Sequence, residues 1–88
     1  MQTDQRLTVD SSATYKVRVH GYLDESWSEY MGGVTIRVQG RPNEPRITEV
    51  TGEFRDQAAL AGALSLLYDL GLPLLSVECL GIRPTDQP

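Results

Sequence analysis

The stretch from Asp56 to Pro73 constrains this chain more than any other, because it reads as a helix with both ends written into it. Leu60, Ala63, Leu64, Leu67 and Leu70 recur at spacings of three and four, which puts them on one face of a helix. Asp56 suits the N-cap, where a carboxylate accepts from an otherwise unpaired backbone N–H. Gly71 fits the left-handed position after the last turn, Leu72 can fold back on Leu67, and Pro73 cannot continue the helix. One long helix over about 56–70 is therefore predicted.

Around it the periodicity is two. From Tyr15 to Leu23 the residues Tyr15, Val17, Val19, Gly21 and Leu23 alternate with Lys16, Arg18, His20 and Tyr22, the mark of a strand with one buried face. Residues 33–39 repeat the pattern with Val34, Ile36 and Val38 inward. Gly40-Arg41-Pro42-Asn43-Glu44-Pro45 must turn, since two prolines cannot serve a ladder. A third strand, 46–54, places Thr48, Val50, Gly52 and Phe54 inward, and a fourth, 74–80, follows the helix directly. Between strands one and two, Trp27, Tyr30 and Met31 lie at helical spacing before Gly32-Gly33, which suits one helical turn or a wide loop.

The order β-β-β-α-β predicts an α+β domain over 15–82, a four-stranded mixed sheet with the helix on one face. If the first three strands form a meander, a right-handed crossover brings strand four beside strand one and parallel to it, order 4-1-2-3. Residues 1–14 and 83–88 are polar and read as disordered tails.

Composition narrows function mainly by exclusion. A domain of 88 residues buries only about 60–65% of its unfolded surface, so an extra source of stability is expected. One cysteine allows no internal disulfide, and one histidine and one cysteine are too few for a structural zinc site, which leaves oligomerisation. A net charge of −4 opposes nucleic-acid binding, where phosphate neutralisation dominates. No apolar run approaches the ~20 residues that cross a bilayer, and residues 1–10 lack the basic-then-apolar pattern of a leader, so a cytoplasmic protein is expected.

No catalytic or cofactor motif is present. His20 and Cys79 are the one nucleophilic pair the inventory permits, but alternation puts His20 outward and Cys79 inward with Leu75 and Val77. Three surfaces remain. Ala58, Ala61, Gly62 and Ser65 form a small-residue strip on the helix; glycine there costs about 1 kcal/mol against alanine, so Gly62 should serve close packing, against its own sheet or a neighbouring helix. Lys16, Arg18, His20, Arg37, Glu49 and Glu53 make a polar sheet face, either an ion-pair ladder or a docking platform. Trp27, Tyr30 and Met31 either lid the core or line a pocket against the helix.

The segments Gly21-Tyr22-Leu23-Asp24, Trp27, Gly33-Val34-Thr35-Ile36, Gly52, Asp56-Gln57-Ala58-Ala59-Leu60 and Asp69-Leu70-Gly71-Leu72-Pro73-Leu74-Leu75-Ser76-Val77 resemble a family of short bacterial proteins with no established activity. Where members of that pattern often carry a histidine this chain has Ala61, and Tyr30 replaces a second Trp or Phe, which weakens any idea of a helix histidine doing chemistry. The resemblance implies a free-standing bacterial protein and assigns no site. The expectation is a non-enzymatic, self-associating interaction module without cofactor or metal, a homo-oligomer or the partner of a second protein. The alternative is a small-molecule binder or enzyme with its pocket between Trp27–Met31 and the helix.

Overall fold

The computed structural model describes residues 11–82. Strands β1 (Ala13–His20), β2 (Thr35–Gln39), β3 (Ile47–Phe54) and β4 (Leu74–Ile82) form one open sheet, with a 3₁₀ helix at Glu25–Met31 and helix α1 at Gln57–Asp69. The expected tails at 1–14 and 83–88 fall largely outside the described residues, but Ala13 and Thr14 already belong to β1.

The helix ends as its caps require. Asp56 Oδ1 accepts from the Ala59 N–H at 2.8 Å. At the other end the Gly71 N–H donates to the Tyr68 carbonyl and the Leu72 N–H to the Leu67 carbonyl, the paired bonds of a Schellman ending with Gly71 at φ +80°. The buried face is Leu60, Ala63 and Leu67, with Leu64 half-buried beside it; Leu70, expected among them, is the C-cap residue past the last helical position and is exposed.

The strand order is β2-β3-β1-β4 and every neighbouring pair is antiparallel, which corrects both the expected order 4-1-2-3 and the expected mixed sheet. The first three strands are not a meander. The connection from Gly21 to Val34 is long enough to cross a strand, and it carries the chain past β3, which then inserts between β1 and β2. Gly52 makes that passage possible: a Cβ on it would lie 2.6 Å from Val34 Cγ1 and 3.3 Å from Val34 Cα. Helix α1 in turn carries the chain past β1, so β4 runs parallel to β3 but antiparallel to β1. These interleaved crossovers make the split β-α-β arrangement, with the 3₁₀ helix in place of a first full helix. The described residues thus hold two helical segments, not the one long helix expected.

The core lies between sheet and helix, where Val17, Val19, Thr48, Val50 and Leu67 are fully buried and the Tyr15 and Phe54 rings meet at 6.2 Å. Thr48 is the polar member and it is satisfied. Its Oγ1 donates to the Gly21 carbonyl at 2.7 Å and accepts from the Leu23 N–H at 3.2 Å, pinning the chain as it leaves β1.

Candidate interaction surfaces

A helix is about 10 Å across and strands are spaced about 4.8 Å apart, so one helix covers roughly two strands of a four-stranded sheet. Here α1 lies against β3, and the 3₁₀ helix lies against β2. What stays bare is β4. Its large apolar residues Leu74, Leu75, Val77 and Leu80 are 54, 49, 40 and 46% exposed.

The pairing of β4 with β1 puts Val77 and Leu74 on the helix side. Val77 pairs with Val17 and Cys79 with Tyr15, both buried beneath the helix layer, so Val77 and Cys79 share the helix side of the sheet. The register against β1 then slips between Arg18 and Val19 and again between Thr14 and Tyr15. Leu74 consequently pairs with Val19 and Ile82 with Ala13, again on the helix side, whereas strict alternation would have sent both outward. Outward on the regular part stand only Ser76 and Glu78, opposite Arg18 and Lys16.

Among the described residues β4 is also an edge, with β1 as its one neighbouring strand. Natural edges are usually short or carry lysine or proline. β2, the opposite edge, obeys this: it spans Thr35–Gln39, carries Arg37, and runs into Gly40-Arg41-Pro42 with Gly40 at φ +113°. β4 spans Leu74–Ile82 with one charge, Glu78, and neither lysine nor proline inside it.

The helix strip Ala58, Ala61, Gly62 and Ser65 is exposed throughout. A Cβ on Gly62 would meet nothing within 4 Å, so packing against its own sheet is not what glycine serves there. The polar sheet face is assembled as a ladder. Arg37 and Arg18 flank Glu49 from β2 and β1, and Arg18 Nε stands 3.6 Å from Glu49 Oε2. Glu53 sits opposite Thr14, and His20 ends the row opposite Ile47. Cys79 is on the other side of the sheet from His20, and it is exposed rather than the core thiol expected, on the edge strand while α1 lies against β3.

Tyr30 and Met31 line a groove of about 470 Å³ together with Phe54, Ala59, Gly62, Ala63 and Leu66; Glu53 and Arg55 stand at its rim. Trp27 does not line it. Its ring stacks at a tilt on Tyr30, centroids 5.1 Å apart, and packs against the core, so it acts as a lid while Tyr30 and Met31 face the groove. Neither His20 nor Glu78 reaches it.

The Tyr22–Asp24–Ser26 cluster was not apparent in the sequence. Asp24 caps the 3₁₀ helix, its Oδ2 accepting from the Ser26 N–H at 3.0 Å while Oδ1 accepts from Tyr22 Oη at 3.0 Å. Hydrogen bonds from Ser26 and then Tyr22 hold the Asp24 carboxyl below its ordinary pKa, and the bond to Asp24 raises that of Tyr22. The signal was present in Asp24-Glu25-Ser26, an aspartate placed to cap. The cluster orders the crossover; all three residues are exposed.

No helix among the described residues is long and apolar enough to cross a membrane. No curated protein and no solved structure matches the chain. A family model does match, over residues 14–78, a span that holds all of β2, β3 and α1 and β4 as far as Glu78. The chain therefore belongs to the family described as a domain of unknown function, DUF8691.

Proposed function

We propose that the protein is a non-enzymatic module that self-associates through β4. One observation carries this reading: the two edges of the sheet are unlike, β2 short and followed by a Gly-Arg-Pro turn, β4 long, apolar and, among the described residues, covered on neither its hydrogen-bonding edge nor its helix side. Such a strand pairs with another chain unless something blocks it. A small domain lacking disulfides gains stability from the same contact.

Light scattering over a micromolar concentration series tests it. The wild-type mass is expected to rise above the 9.8 kDa of one chain. The Leu75→Lys/Val77→Lys variant should stay at that mass, since two lysines on a strand edge oppose each other across the junction. Wild-type protein that remains at one chain's mass throughout the series overturns the proposal.

The second reading, a binder of small apolar molecules, is favoured by the position of Gly62. In mid-helix it lines the groove with Met31 and Phe54, and among the described residues a Cβ there would meet no atom within 4 Å beyond its own stretch of helix. Gly62→Ala is expected to stabilise the fold by about 1 kcal/mol, because helix propensity improves without a clash. On this reading the same change weakens binding of an apolar fluorescent probe. Equal probe binding by both forms removes the reading.

A further inference from the structure

The geometry points to one register for the contact at β4: a second copy pairs antiparallel with the first about a two-fold axis at Val77. This rests on the self-association reading and specifies its partner. A two-fold axis perpendicular to the sheet carries each residue onto one facing the same side. The axis must therefore fall between some residue of β4 and its own copy. The register slips at Leu75 and Leu80 leave regular backbone only from Ser76 to Cys79, so four positions are available.

Three of them fail. At Glu78 two carboxylates face each other directly, which is unfavourable. At Ser76 the overlap ends at Leu74 and Glu78, sets those two against each other and leaves Leu80 bare. At Cys79 the overlap is Ser76 to Ile82, so Leu74 and Leu75 stay exposed and Glu78 opposes Leu80. At Val77 the overlap is Leu74 to Leu80, which takes in all four exposed apolar residues of β4. Val77 then faces its own copy on the helix side, and on the other side the Ser76 hydroxyl can donate to Glu78, all on regular backbone. The product is a continuous antiparallel sheet, β2-β3-β1-β4 joined to its mirror order, with both helices on one side.

Opposed residues in antiparallel strands have Cα atoms about 4.5–5.5 Å apart, within the span a disulfide bridges. Chains carrying a single cysteine at 76, 77, 78 or 79 therefore report the register on mild oxidation: Ser76→Cys/Cys79→Ser, Val77→Cys/Cys79→Ser, Glu78→Cys/Cys79→Ser and the native chain. The Val77→Cys form is expected to cross-link at least tenfold faster than the other three, each checked for fold by circular dichroism. Should that form misfold, Ser76→Cys/Glu78→Cys/Cys79→Ser is expected to cross-link while each of its single-cysteine parents does not. Fastest linking by the native Cys79 overturns the register but leaves self-association standing. Absence of any fast cross-link in a sample that light scattering shows to be dimeric overturns edge pairing itself. A monomeric mass removes the underlying reading as well.

Discussion

Gly52→Ala is expected to destabilise the domain by about 1–3 kcal/mol, the usual cost of adding a methylene to a packed site. The added Cβ would lie 2.6 Å from Val34 Cγ1, 3.2 Å from its Cβ and 3.3 Å from its Cα. A rotamer change can move the first of these atoms. It cannot move the third, which belongs to the crossover backbone, so the chain between the 3₁₀ helix and β2 must shift or β3 must bend. For a domain of 60–100 residues each kcal/mol lowers the melting temperature by about 4–8 °C. Thermal unfolding monitored by circular dichroism measures this, with Gly81→Ala, whose Cβ meets nothing within 4 Å, as the comparison. An unchanged midpoint for Gly52→Ala would show that β3 and the crossover do not approach as described.

Leu67→Ala is expected to cost more, about 2–5 kcal/mol, as large-to-small changes in closed cores do. Leu67 is 2% exposed and is the largest of the fully buried side chains, so its removal leaves a cavity that neither sheet nor helix can collapse to fill. A domain of this size has only a small net stability, on the order of 0.05–0.15 kcal/mol per residue, so the loss is a large share of the total. Denaturant titration at one fixed protein concentration measures it, since self-association would otherwise shift the midpoint. Tyr68→Ala, one residue on and 80% exposed, should stay within about 0.5 kcal/mol of wild type when the chain is monomeric. Equal losses at the two positions would mean that α1 does not present the face described.

Both expectations depend on features of different legibility. Leu67 could be assigned to the core from periodicity alone, and Asp56, Gly71 and Leu72 marked the helix ends because capping is satisfied within a few residues of chain. Gly52 stood out in the sequence as an inward glycine, but its reason is Val34, a residue brought there by a crossover. The small-residue strip behaved similarly. Ala58, Ala61, Gly62 and Ser65 do share a face, yet only the fold shows that this face looks outward and that Gly62 opens into the groove beside Met31.

β4 was the hardest element to read. Its leucines, valine and cysteine look like core in a linear string, and the regular alternation from Ser76 to Cys79 gave no hint of the slips that turn Leu74 and Ile82 to the helix side. Their exposure follows from a count of layers: one helix cannot roof four strands, and which strand goes uncovered depends on strand order.

The sequence by itself determined the four strands, the long helix and its ends, the turn at Gly40–Pro45 and the inward residues of β1 and β3, because each follows from local geometry or from period two. The tertiary structure alone decided that β3 inserts between β1 and β2, that every pair is antiparallel, and that β4 is an open apolar edge. Strand order is settled by contacts between residues far apart in the chain, such as Gly52 with Val34 and Val17 with Val50 and Val77, and no local pattern carries that information.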